Sequence, residues 1–267
     1  MWCLVCVVLI SSNTVLASQE QGCGRGETVS MVQDSQLEGC PVQGEEHGLV
    51  ALVLGASGET GKKVLKYLVE SPEYSSIISL GRRELVLPSD GLYNKVVQKI
   101  VDFDNLELHA AEFIGVDQAF CCLGTTRAVS GAEGFVKVDH DYVLRAAEIL
   151  KSSNCPDFHL LTSKGSNAGS WFLYPSTKGK IENAVAELGF DHLSIYRPGL
   201  LLCERETGRF LESVLQSLAR YTDTSTWWWS VPAEMVARAM VTNSVKADRE
   251  TMEIIEHDQI VKIAQQS

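Results

Sequence analysis

A chain of 267 residues can bury one substantial core, so one domain plus an extension is the simplest organisation. Its formal charge of −11 excludes a general nucleic-acid surface, which needs clustered Lys and Arg. No stretch reaches the ~20 apolar residues of a membrane span, and the eight cysteines offer no CxxC pair near matching His or Cys, so no metal site is expected.

Trp2–Ile10 is apolar, and Val15-Leu16-Ala17 behind it resembles a signal-peptidase site. Residues 1–17 read either as a secretory signal or as a start segment without targeting value; no Lys or Arg precedes the apolar run. Residues 18–47, rich in Gln, Glu, Gly and Ser, read as a disordered tether. A globular domain follows over 48–267. Val50–Leu54 predicts a buried strand that turns through Gly55, Gly58 and Gly61 into a helix carrying Val64, Leu65, Leu68 and Val69. Such a strand–turn–helix is the phosphate cradle of a dinucleotide-binding βαβ unit, and the helix start faces the anion. Alone, it is also an ordinary corner.

Ser75–Leu80 predicts a second strand ending at Arg82-Arg83. An acid at that place suits the ribose of NAD, whereas arginine suits the 2′-phosphate of NADP. Val96–Val101 predicts a third strand, leading to Asp102-Phe103 as a contact for the adenine edge, and Leu106–Phe113 a short helix. Val116–Leu123 predicts a fourth strand delivering Leu123 and Gly124 to the cofactor crevice, with Cys121 and Cys122 as small buried thiols at its end. A helix over Val138–Leu150 and a fifth strand over Phe158–Leu161 follow. Thr162 and Ser163 come next, then a helix opened by Pro175 in its first turn, where a missing N–H costs nothing. His192–Tyr196 predicts a sixth strand, Glu212–Arg220 and Ala233–Asn243 further helices, and Glu253–Ile255 a late strand before a terminal helix. The fold class is α/β: a doubly wound, mostly parallel Rossmann sheet with a small C-terminal substrate-side lobe.

Tyr174 and Lys178 are four apart and share one helical face. A phenol ordinarily titrates near 10, and an ammonium beside it favours the phenolate. Such a pair can hand a proton to a carbonyl oxygen as hydride reaches the carbon. Ser163, or Thr162, would hydrogen-bond the same oxygen. Trp227-Trp228-Trp229 cannot all face one core, so at least one is exposed or lines a pocket.

GASGETG, Arg82-Arg83, Ser163 and Tyr174-x-x-x-Lys178 together resemble the atypical branch of the short-chain dehydrogenase/reductase family. CCLGTTR, GAEGF, TSKG and RPGLLLC narrow the likeness to its Tat-interacting oxidoreductase subfamily, over nearly all of 48–267. The resemblance implies NADPH binding through Ser57, Gly58, Glu59, Thr60, Arg82, Arg83, Leu123, Tyr174 and Lys178, and also Leu201 and Arg209. It implies a regulator as much as an enzyme, cytoplasmic and at the nuclear envelope. Its partners would be a translation elongation factor and nuclear import receptors, and its roles redox sensing, growth suppression and apoptosis. Catalysis would then be incidental or absent. Cys203 would be the thiol of an oxidation-linked dimer, although a buried inert thiol is the plainer reading. The apolar leader replaces a charged amphipathic start in that subfamily, which sets N-terminal partner binding against the resemblance. Signal cleavage predicts that the expressed protein begins at Ser18 on N-terminal sequencing; an intact Met1 or Trp2 rules cleavage out.

Overall fold

Strand β1 (Leu49–Leu54) sets the pattern of the core. Leu52 and Leu54 contribute to one hydrophobic cluster and Ala51 and Val53 to another, all four fully buried. Neighbouring side chains on a strand point to opposite faces, so a strand apolar at every position must be covered on both. The computed structural model describes residues 48–202 and 230–266. In it β2 (Tyr74–Gly81), β3 (Val96–Ile100), β4 (Gln118–Cys121), β5 (Asp157–Leu161) and β6 (His192–Arg197) join β1. β7 (Leu200–Leu202) and β8 (Ser230–Pro232) form a separate parallel pair, and β9 (Met252–Glu256) closes the main sheet. The seven-stranded order is β3-β2-β1-β4-β5-β6-β9, parallel throughout. This is the doubly wound, Rossmann-like α/β architecture that the pattern predicts.

Parallel neighbours need crossovers, and helices supply them. α1 (Glu59–Glu70) buries Val64, Leu65, Leu68 and Val69 on one face of the sheet. α2 (Arg127–Val136) leads through a π-helical turn at Lys137–Asp141 into α3 (Tyr142–Ser152). α3 and α4 (Leu173–Glu187) cover the opposite face through Val143, Leu150, Ile181 and Val185. α5 (Ala233–Ser244) and α6 (His257–Gln265) lie with α1. Crossovers leave β1 and β4 in opposite directions, which opens a crevice at their carboxyl ends. Among the described residues no helix is long and apolar enough to cross a membrane.

Beyond the unforeseen pair β7 and β8, three expected elements differ in extent. β4 is shorter than Val116–Leu123, because Cys122 leaves the ladder for the turn while its N–H still reaches the Leu54 carbonyl at 2.9 Å. The helix expected over Val138–Leu150 starts earlier, at Arg127, and is broken at Gly131 (φ 72°) and by the π turn. Leu106–Phe113 belongs to a longer 3-10 segment, Phe103–Phe113, interrupted at Asn105. Glu212–Arg220 and Trp227–Trp229 lie outside the described residues.

A buried ionic cluster ties the last segment to β5. Arg249 donates to both carboxylate oxygens of Asp157, at 2.9 and 2.5 Å, and His159 Nε2 stands 3.2 Å from the same group. Burial opposes the Asp157 charge, but His159 and Arg249 outweigh it and hold the carboxyl down at about 2. A carboxylate depressed in the folded state stabilises fully above its unfolded value near 4, and that contribution fades as pH falls through 2. Urea unfolding between pH 7 and pH 2 should therefore lose about 2 kcal/mol through this group. Asp157→Asn should be weaker at pH 7 by at least that much and show a flatter acid limb.

Candidate functional site

The turn after β1 is built by close backbone approach. Gly55 has φ 83°, and a Cβ there would lie 2.6 Å from the Cys122 carbonyl oxygen. A Cβ on Gly61 would lie 2.2 Å from the Gly55 oxygen, so the first turn of α1 rests directly on the loop. Gly58 caps α1 without a side-chain hydrogen bond, and its own N–H returns to Gly55 at 2.9 Å. The first N–H groups of α1 are thus not capped by a side chain at the mouth of the crevice, the arrangement that receives an anion. Thr60 is buried, Ser57 is exposed, and Glu59 stands 3.9 Å from Lys62.

Two spaces open here, with Gly58, Cys122, Leu123 and Gly124 lining both. The smaller, about 110 Å³, runs from Gly55, Ser57 and Gly58 past Gly81 to Arg82, Arg83 and Phe103. Both arginines are exposed, and neither meets a carboxylate among the described residues. Asp102 does not line this space. Its carboxylate caps the following 3-10 segment, accepting from the Asp104 N–H at 3.0 Å and from Asn105 at 2.8 Å. Phe103 faces the space in its stead.

The larger space, about 1020 Å³, runs from Glu59 and Thr60 to Ser163, Tyr174, Lys178 and Leu201. Thr162 Oγ1 donates to Glu182 at 2.6 Å and approaches the Tyr196 carbonyl, so it is engaged on the core side. Ser163 Oγ is buried and has no hydrogen-bond partner among the described residues. An orphan hydroxyl in a cavity wall is free to bind a ligand oxygen. Tyr174 is half-exposed and stacks on Phe135 with ring centroids 5.5 Å apart. One turn later Lys178 is buried, its Nζ 2.8 Å from Asp139 Oδ1. α4 sits tight against the loop from Ser163, since a Cβ on Gly179 would lie 2.1 Å from the Ala168 nitrogen. Burial pushes the Cys121 thiol up to about 12, as befits a packing group, and raises Cys122, which is partly buried and lines both spaces. Arg209 and Cys203 lie outside the described residues.

Asp139 escapes sequence reasoning: the run Val138–Leu150 also holds Asp141 and Glu148, and no signal singles one acid out. Phe135, which stacks on Tyr174, carries no such signal.

No family model matches the chain. Protein HTATIP2 of Rattus norvegicus is 43% identical over 216 residues, which span 80% of this chain and 89% of that protein. Protein FMP52, mitochondrial, of Candida albicans is 34% identical over 177 residues, 66% of this chain and 77% of the relative. Among solved structures, MoeE5 in complex with UDP-glucose and NAD superposes with a TM-score of 0.60 at 14% identity, over 82% of this chain and 81% of that one. That likeness is one of fold. The extent of the HTATIP2 match shows the family: the chain belongs to the group that includes Protein HTATIP2, and its crevice holds the residues by which the sequence resembles the atypical short-chain dehydrogenases/reductases.

Proposed function

We propose that this chain binds NADPH in the crevice and reduces a carbonyl compound there. One observation carries the reading. Two spaces lined in common by Gly58, Cys122, Leu123 and Gly124 bring together a helix start with no side-chain cap, two arginines without carboxylate partners among the described residues, and the Tyr174, Lys178 and Ser163 side chains. Gly55 and Gly61 leave no room for a Cβ against neighbouring backbone, a close-packed turn that fits a pyrophosphate held by backbone N–H groups. Arg82 and Arg83 would take the 2′-phosphate, and Leu123, Gly124 and Leu201 would flank the nicotinamide half. When bound, the reduced nicotinamide supplies a hydride to the carbonyl carbon. Tyr174 gives its phenolic proton to the carbonyl oxygen, Ser163 Oγ donates a hydrogen bond to that oxygen, and Lys178 holds the ribose.

Fluorescence titration should show NADPH binding more tightly than NADH. Replacing Arg82 and Arg83 together by Ala should weaken NADPH about ten- to a hundredfold while leaving NADH nearly unchanged. Equal affinity for the two in the wild-type chain removes the claim. Tyr174→Phe should lower NADPH-dependent turnover of a carbonyl panel by roughly a hundredfold or more and spare NADPH affinity; undiminished turnover removes the assigned role.

A second reading is regulatory: an NADPH sensor acting by protein contact, with an elongation factor and nuclear import receptors as the partners that resemblance implies. Trp171 and Phe172, 100% and 77% exposed just ahead of Tyr174, favour it, because large aromatics in water mark contact surfaces. Ligand binding could then bias this surface if its two states differ in affinity. Co-precipitation with and without NADPH separates the readings, since partner capture indifferent to NADPH argues against sensing.

A further inference from the structure

The turn after β6 walls the larger space, yet it is anchored from outside. Pro198, Gly199 and Leu200 line that space together with Ser163 and Tyr174. Two backbone bonds join the turn to the loop that carries Ser163. Thr162 N–H donates to the Tyr196 carbonyl at 2.8 Å, and Lys164 N–H to the Pro198 carbonyl at 2.7 Å. They extend the β5–β6 pairing beyond its last rung, Leu161 with Tyr196, and they flank Ser163. Where Pro198 stands, the backbone of Ser163 follows. The C-terminal segment holds the turn at two points. Arg197, which also grips Glu182 on α4, donates to Glu256 at 3.1 Å. The Arg197–Glu256 pair is partly open to water and so directs little. The second point is buried: Gly199 N–H donates to His257 Nδ1 at 3.1 Å. A ring nitrogen that accepts a hydrogen bond carries no proton, so His257 serves here as a neutral imidazole. Its own place is firm. His257 opens α6, whose start is fixed by the capping box of Glu256 and Gln259 and whose Ile260 and Ala264 are buried.

We infer that His257 is a positioning residue for the site, although it lines neither space itself. Its Nδ1 fixes the Gly199 N–H, and through the Pro198 carbonyl that contact sets the loop of Ser163. This role rests on the NADPH reading.

Two variants of the full chain test it. His257→Leu removes the acceptor, and His257→Asn returns an amide oxygen near the place of Nδ1. His257→Leu should lower kcat for the carbonyl panel about tenfold, as loss of one positioning hydrogen bond would, and alter the emission of bound NADPH at saturation. Its NADPH Kd should stay within about twofold, because Arg82 and Arg83 line the other space. Amide exchange at Gly199 and Lys164 should quicken about tenfold, since both N–H groups lose protection together. His257→Asn should restore kcat, emission and exchange. Where the wild-type chain turns over no carbonyl, emission stands in for kcat. Wild-type kcat, emission and exchange in His257→Leu overturn the role. Equal losses in both variants also overturn it, because they mean packing of the ring alone. If His257→Leu does not fold, His257→Asn decides: wild-type behaviour upholds the role, and loss of kcat, emission and protection overturns it. If the wild-type chain fails to bind NADPH, the cofactor reading falls, and exchange at Lys164 decides the positioning by itself. Quickening in His257→Leu with recovery in His257→Asn upholds it, and any other pattern overturns it.

Discussion

Two backbones touch where no side chain fits, and the groove depends on that contact. Gly55 lies against the Cys122 carbonyl and Gly61 lies against Gly55. The ends of β1 and β4 are thereby held together and α1 starts at the mouth of the crevice. A methyl group at either place would part the loops, because backbone atoms have nowhere to retreat. Gly179 repeats the device on the other side, seating α4 on the Asn167–Ala168 backbone. One contact shapes the half of the groove that suits an anion, and the other sets Tyr174 and Lys178 beside the loop of Ser163.

The buried acids follow a common scheme despite the negative total charge. Asp157 meets Arg249, Asp139 meets Lys178, and Glu182 meets Arg197 while accepting from Thr162. The Asp157 and Asp139 pairs join segments distant in sequence, and the Glu182 pair joins α4 to the next strand, β6. Buried pairs of this kind stabilise little relative to apolar packing, but breaking one strands a charge. They act as register marks, and here they mark where β5, α4 and the tail must lie.

β1 was legible because burial on both faces writes a continuous apolar run, and β2, β5 and β6, with shorter apolar stretches, also fall within a residue or so of expectation. The stretch from Arg127 to Asp141 was not. Gly131 and Gly134 suggest a loop, and a π turn has no periodicity to detect. β7 and β8 are three residues each, too short to alternate. The glycine turn, the arginines and the Tyr–Lys pair were visible because their chemistry depends on residue type at close spacing. Asp139 was hidden because its partner lies 39 positions away on another helix (178 − 139). Asp102 shows the converse: a carboxylate at the expected place is used by its own backbone turn.

The register of β1 against β4 also bears on how the groove comes into being. Val50 N–H donates to Asp117 across 67 residues, and Leu54 pairs with Cys121. No shorter fragment holds both sides of the Gly55 contact. Long-range parallel pairing is slow, since loop closure comes before any contact rewards it. The groove therefore exists only in chains in which β1 and β4 have paired. Any ligand that fits it binds the finished fold and not its precursors, and so draws the folding equilibrium toward completion by mass action.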